Sequence, residues 1–429
     1  MSGSGYVIRN ARLIDPAQDM DKTGDLVIEN GKIASVGASG SSKDIAQIDA
    51  SGKVVMPGVV DMHVHLREPG REDKETVASG SASALRGGVT TVLAMPNTTP
   101  AIDTAERVEM LRAIIDKRAR ARVLIAGCLT RARAGRERAE YAQLKKAGVV
   151  ALTDDGASVD DEKLMQDILD EAGKHDLPVI CHCEDAALSA GGVVNLGLTS
   201  TRMGLRGISR ESEFSRVARD IALAEKAGAR IHIAHVSCRE SVELIAKAKA
   251  RGVAVTAETA PHYFSLTEET VWGFDTNFKM NPPLRGTDDR IAVRQGVVDG
   301  TIDVIASDHA PHTVNEKDIE FERAAFGVTG LETELAVSIS EFIVSGALDW
   351  KMLVERLCAA PARILGVEAG TLVKGADADL VIVDEGREWQ VRPEDFCSQS
   401  ANSAFIGQKL RGVVEYTFLK GEIVYGIHS

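Results

Sequence analysis

A (β/α)8 barrel with a small β-sandwich domain built from both chain ends is the fold this sequence predicts. Three observations carry that expectation. Eight short apolar runs alternate with amphipathic helical stretches over the middle of the chain. The two ends instead read as short strands broken by Gly, Asp and Asn turns. No Gly-rich dinucleotide fingerprint follows the first middle strand, which disfavours an open doubly wound sheet.

In the N-terminal part, Asp25-Leu26-Val27-Ile28-Glu29 and Lys32-Ile33-Ala34-Ser35-Val36 flank Asn30-Gly31, a hairpin signal. Near the C-terminus, 378–383 and 416–425 have strand character. Residues 1–56 plus 366–429 are therefore expected to share the small domain, with the barrel at 57–365. The barrel strands are placed at 59–65, 89–95, 123–128, 149–153, 178–183, 230–236, 253–257 and 303–307. Helical patterns such as 104–118, 161–174, 211–227 and 239–250 lie between most of them.

Composition excludes several classes. Hydrophobic residues at 44% and charged residues at 26% are ordinary for a soluble globular chain of 429 residues. A net charge of -13 argues against binding nucleic acid by phosphate neutralisation. There is no apolar run of membrane-spanning length, and Met1-Ser2-Gly3-Ser4-Gly5 does not open a secretory signal. A cytoplasmic chain with neither nucleic-acid nor membrane partners is expected. Its six dispersed cysteines are then reduced and mostly buried. In Cys181-His182-Cys183, strand alternation sends the sulfurs one way and the imidazole the other. The histidine is taken as the ligand.

Active sites of such barrels lie at the C-terminal ends of the strands. Strand 1 ends in His63 and His65, two positions apart and on one face. Strand 4 ends in Thr153-Asp154-Asp155-Gly156, strand 5 in His182 and strand 6 in His235. Strand 8 runs into Ser307-Asp308-His309-Ala310-Pro311-His312. Imidazoles and carboxylates in this mix suit zinc or a similar divalent metal. By parity His232 points to the helices and is structural. His262 also reads as structural, and His175 and His428 as solvated.

Four motifs then carry a resemblance. Asp61-Met62-His63-Val64-His65-Leu66-Arg67-Glu68-Pro69-Gly70, Met95-Pro96-Asn97-Thr98, Asn281-Pro282-Pro283-Leu284-Arg285 and Ser307–His312 resemble the signatures of dihydroorotases, in family order. Dihydroorotases are members of the amidohydrolase superfamily. The closest subgroup is the longer bacterial type, in which an aspartate bridges two metals in place of a carboxylated lysine. Asp155 matches it. The resemblance implies that His63, His65 and Asp308 hold one zinc, His182 and His235 a second, and Asp155 both. It implies reversible cyclisation of N-carbamoyl-L-aspartate to (S)-dihydroorotate, a step of de novo pyrimidine (UMP) synthesis. In ring opening a metal-bound hydroxide attacks, and Asp308 is general base and then acid.

The substrate carries a free carboxylate. Arg67, two positions past His65 and on its side by parity, offers a bidentate clamp. Asn97 and His312 match the family's other carboxylate contacts, and Asn281 and the backbone at Phe326-Gly327 its ring contacts. The resemblance also implies a homodimer and association with aspartate transcarbamoylase. Cys183, Cys238, Tyr263, Arg206 and Ser209 depart from the usual pattern without removing a ligand. Two alternatives remain. A hydantoinase, dihydropyrimidinase or allantoinase would need a lysine at the end of strand 4, where Val149-Val150-Ala151-Leu152-Thr153 has none. An inactive structural partner of the transcarbamoylase would have lost ligands, and none is missing. The charged stretch 313–325 is read either as a mobile lid or as an ordered loop.

Overall fold

The computed structural model describes residues 5–37 and 45–427. The N-terminal tetrapeptide and His428 lie outside them. The first strands are β1 (Gly5–Asp15), β2 (Met20–Glu29), β3 (Lys32–Val36), β4 (Ala46–Asp49) and β5 (Val54–Pro57). The middle follows with β6 (Val59–Val64), β7 (Val89–Ala94), β8 (Arg122–Gly127), β9 (Ala151–Leu152) and β10 (Val179–Cys181). A small parallel pair, β11 (Val194–Asn195) and β12 (Gly207–Ile208), precedes β13 (Ile231–Ile233), β14 (Val255–Thr259) and β15 (Val304–Ile305). Last come β16 (Leu380–Gln390), β17 (Lys409–Leu419) and β18 (Glu422–Gly426).

The chain ends share one eight-stranded sheet, ordered β18-β17-β16-β5-β1-β2-β3 with β4 beside β1. The Asn30-Gly31 hairpin forms between β2 and β3. Both residues take positive φ, 51° and 77°, as a type I′ turn requires. The run 416–425 is a second hairpin of this kind, turning at Lys420-Gly421 with φ of 49° and 78°. Ile8, Leu13, Leu26, Ile28, Ile382 and Phe418 are among the residues that form this sheet's core.

The eight middle strands lie in the order β15-β14-β13-β10-β9-β8-β7-β6. The sheet closes between its end strands beside the candidate site. The His65 amide donates to the His309 carbonyl (2.9 Å), and the Ser307 amide to Asp61 Oδ1 (3.3 Å). This is the predicted barrel. Val60, Met62, Leu93, Ala126, Ile180 and Ala234 belong to a cluster that takes residues from several strands and fills its interior. A larger apolar cluster seats the helices against the outer face.

Element ends follow local chemistry. The helices predicted at 104–118 and 161–174 begin one residue later, because Thr104 and Asp161 are caps. The Asp161 carboxylate accepts from the amides of Lys163 and Leu164 at 2.8 and 3.0 Å. The strand predicted at 253–257 lies two residues further on. Gly252 turns left-handed (φ 83°) after helix Arg239–Ala250, and the Val253 amide caps Ala248. Among the described residues no helix is long and apolar enough to cross a membrane.

Candidate metal centre and substrate cavity

A cavity of about 270 Å³ opens at the C-terminal end of the barrel. Every metal- or substrate-binding residue expected from the resemblance, except His63, lines it. His63 lies directly beneath, fully buried.

The donor atoms converge. Asp155 Oδ1 is 3.3 Å from His63 Nε2, 3.6 Å from His182 Nδ1 and 3.5 Å from His235 Nε2, and Asp155 Oδ2 is 3.4 Å from His65 Nε2. Asp308 Oδ1 is 3.6 Å from His63 Nε2 and 3.4 Å from His65 Nε2. Two triads are each tight enough to hold an ion: His63 with His65 and Asp155, and Asp155 with His182 and His235. Asp155 belongs to both. The donor chemistry fits a metal. His63 Nε2 and Asp155 Oδ1 are buried without a hydrogen-bond partner, and two ring nitrogens, His182 Nδ1 and His235 Nε2, face each other at 2.7 Å.

Surrounding groups leave those nitrogens free by engaging the opposite side of each ring. His63 Nδ1 donates to Glu258 Oε1 (2.5 Å), His65 Nδ1 to Asn97 Oδ1 (2.9 Å), and His182 Nε2 to Glu184 Oε2 (3.0 Å). Asn281 Nδ2 donates to the same Glu184 oxygen at 3.1 Å. Gly70 allows the strand-1 loop to approach the strand-2 loop that carries Asn97. A Cβ there would lie 2.1 Å from the Thr99 carbonyl oxygen, and its φ of 101° is itself unfavourable for other residues.

One reading from strand alternation needs correction. His232 does not face the helices. Its Nε2 is 3.3 Å from Glu258 Oε2 and its Nδ1 2.8 Å from Thr256 Oγ1, so it supports the carboxylate that holds His63. Its neighbours Ile231 and Ile233 join the outer core, while His232 and Ala234 turn inward. His235 should then point outward, but β13 has ended and its φ of 35° swings it back. Arg67 reaches the cavity by the same means. β6 ends at Val64, and Arg67 has φ 60°. Asp308 (φ 48°) is the third. Left-handed backbone at non-glycine residues costs roughly 1–2 kcal/mol each, and here it gathers where side chains are re-aimed.

Arg67 is half-buried and makes no ion pair among the described residues. Its Nε donates to the Pro311 carbonyl at 3.2 Å. Burial lowers its pKa to about 10, so it remains charged at neutral pH. Glu68 and Asp73 are committed elsewhere, to Arg118 and Arg71. His312 Nε2 donates to the Phe326 carbonyl (2.7 Å), and Nδ1 accepts from Lys74 Nζ (3.0 Å). Burial, then Arg67 and Lys74, push its pKa down to about 3, so the ring is neutral. Cys181 and Cys183 lie in the outer core, with Cys183 Sγ 3.7 Å from Asp220 Oδ2. His262 is buried against Tyr263, ring centroids 4.2 Å apart. Within the stretch 313–325 a short helix, Val314–Lys317, starts with a Thr313/Glu316 capping box.

Sequence reading missed Glu258, Glu184 and Lys74. Glu258 escaped because strand 7 was placed two residues early, which left it beyond the strand rather than inside it on the inward parity.

A (β/α)8 barrel with four histidines and two aspartates gathered at its strand ends defines the amidohydrolase class. A dihydro-orotase-like family model matches residues 52–241. The chain is 50% identical over 418 residues to the dihydroorotase of Elusimicrobium minutum, covering 97% of each. It is 47% identical to that of Pelobacter propionicus, covering 98% of this chain and 99% of the other. The chain belongs to the dihydroorotase family. Among solved structures, L-hydantoinase (dihydropyrimidinase) from Arthrobacter aurescens superposes with a TM-score of 0.89 at 27% identity, covering 98% of this chain and 96% of the other.

Proposed function

We propose that this chain interconverts N-carbamoyl-L-aspartate and (S)-dihydroorotate in pyrimidine synthesis, with zinc held at two adjoining positions. The carrying observation is the half-buried, charged Arg67, without an ion pair among the described residues, above a donor set in which Asp155 belongs to both triads. His63, His65 and Asp308 would hold one ion, His182 and His235 the other, and Asp155 both. Bound there, zinc lowers the pKa of water and polarises the amide carbonyl.

The chain's own groups do the rest. Arg67, Asn97 and His312 orient the substrate carboxylate. Asn281 and the backbone at Phe326-Gly327 meet the ring. In ring opening Asp308 takes the proton of the attacking water and returns it to the departing ring nitrogen. Closure reverses these transfers. A hydantoinase reading is disfavoured because an aspartate stands at the end of strand 4 and no lysine lies in 149–153. A neutral cyclic imide also leaves Arg67 without an anion. Turnover assays on dihydroorotate, hydantoin, dihydrouracil and allantoin test the reading. Activity only on the last three overturns it. Cytoplasmic residence, a homodimer and association with aspartate transcarbamoylase are proposed from the family resemblance. Light scattering, with and without the transcarbamoylase, checks the two assemblies.

Two substitutions probe separate parts. Arg67→Lys should raise KM about ten- to a hundredfold, because a point charge replaces a two-pronged donor. An unchanged KM would place the carboxylate elsewhere. Glu258→Gln should weaken metal binding by about 10–100-fold, since the charged partner of His63 is lost. Competition with a chromophoric chelator measures it, and wild-type affinity would refute the role.

A further inference from the structure

Lys317 and Lys279 are buried beside the cavity with no carboxylate partner among the described residues. Lys317 Nζ donates to the carbonyls of Lys279 (3.2 Å), Ala325 (3.0 Å) and Gly327 (2.9 Å). An ammonium has three donors, and all three are used. Lys279 Nζ donates to the carbonyls of Phe321 (2.7 Å) and Glu322 (2.9 Å), and lies 4.5 Å from the centroid of the Phe326 ring. Stretch 313–327 contains one short helix and no named strand, so it has few backbone partners of its own. Two cations replace them. Burying a charge against neutral dipoles alone is costly, so the arrangement calls for a reason beyond filling space.

That reason is the cavity wall. The Gly327 carbonyl is gripped by Lys317 and also accepts from Asn402 Nδ2 (3.1 Å). The Gly327 amide donates to the Lys279 carbonyl at 3.0 Å. Gly327 has φ 126°, and a Cβ there would meet Ala310 Cβ at 2.7 Å and His312 Nε2 at 3.1 Å. The His312 ring donates to Phe326, one residue before. Moving Gly327 therefore moves His312.

We propose that Lys317, backed by Lys279, is a positioning residue for substrate: its ammonium draws the Lys279, Ala325 and Gly327 carbonyls together and so fixes Phe326-Gly327 and His312 against the cavity. This rests on the functional reading above for what the cavity binds. Burial, with Lys279 as an opposing cation, lowers Lys317 to about 7; burial lowers Lys279 to about 8. The charged and titratable groups facing the pair are Asp275, Glu322 and His312, besides the two lysines themselves. A neutral amine has only two donors for three carbonyls, so the wall loosens as pH rises. Both pKa values lie below those of an unfolded lysine. In that window the unfolded chain binds more protons, and these groups favour folding more as pH rises. Loss of substrate affinity there is not unfolding.

The test is Lys317→Met, which keeps length and removes the charge. KM for dihydroorotate should rise about tenfold or more, with kcat within a few-fold, metal content unchanged and faster amide hydrogen exchange across 313–327. Folded Lys317→Met with wild-type KM and wild-type exchange overturns the proposal. If that variant does not fold, wild-type enzyme decides. Its KM should climb between about pH 7 and 9, and a flat KM overturns it. Absence of any wild-type turnover of dihydroorotate would instead refute the functional reading, and the exchange measurement would still judge the lysine.

Discussion

Asp308→Asn should lower kcat by at least about a hundredfold, and by as much as 10⁴-fold, the range that a positioned proton carrier supplies. The carboxylate is buried among the site histidines, with Oδ1 3.4 Å from His65 Nε2. As a carboxylate facing the His63 and His65 rings, it starts as the base that the proposed ring opening needs. An amide keeps the volume and one oxygen but cannot take the proton. Circular dichroism and thermal melting should match wild type. Near-normal turnover in the folded variant would show that another group carries the proton.

Asp155→Asn is expected to act earlier, on what the site retains. The carboxylate lies within 3.6 Å of a ring nitrogen on each of four histidines and belongs to both triads. With an amide in its place, His182 and His235 keep no carboxylate between them. Metal per subunit should fall by about one equivalent or more, and affinity by more than the 10–100-fold typical of losing a merely supporting residue. Elemental analysis after gel filtration without chelator reads this directly. Retention of wild-type stoichiometry would refute the proposed bridging role of Asp155.

The barrel was legible because its strands are short apolar runs separated by capped helices, a local signal that needs no tertiary information. The site was legible to the same extent. His63, Asp155 and His182 lie at or just past strand ends, and the structure brings them together. The parity argument failed because left-handed backbone at His235 interrupts the pleat, which put His232 on the wrong face, and Arg67 likewise reaches the cavity through a left-handed residue. Such turns follow from how a loop packs, not from the identity of the residue making it. Glu258 needed the strand boundary, which Gly252 moves by two positions. The buried lysines gave no sequence signal, because a lysine that binds carbonyls is spelled like one that meets water.

The hydrogen bond from His65 to His309 has an implication of its own. It joins the first and last staves of the barrel, some two hundred and forty residues apart along the chain, between one stave that ends in His63 and His65 and another that ends in Asp308. The ring of strands is thus fastened at the place where it works. A substitution that slackens this clasp cannot be purely architectural, since it parts Asp308 from two of the histidines beside it.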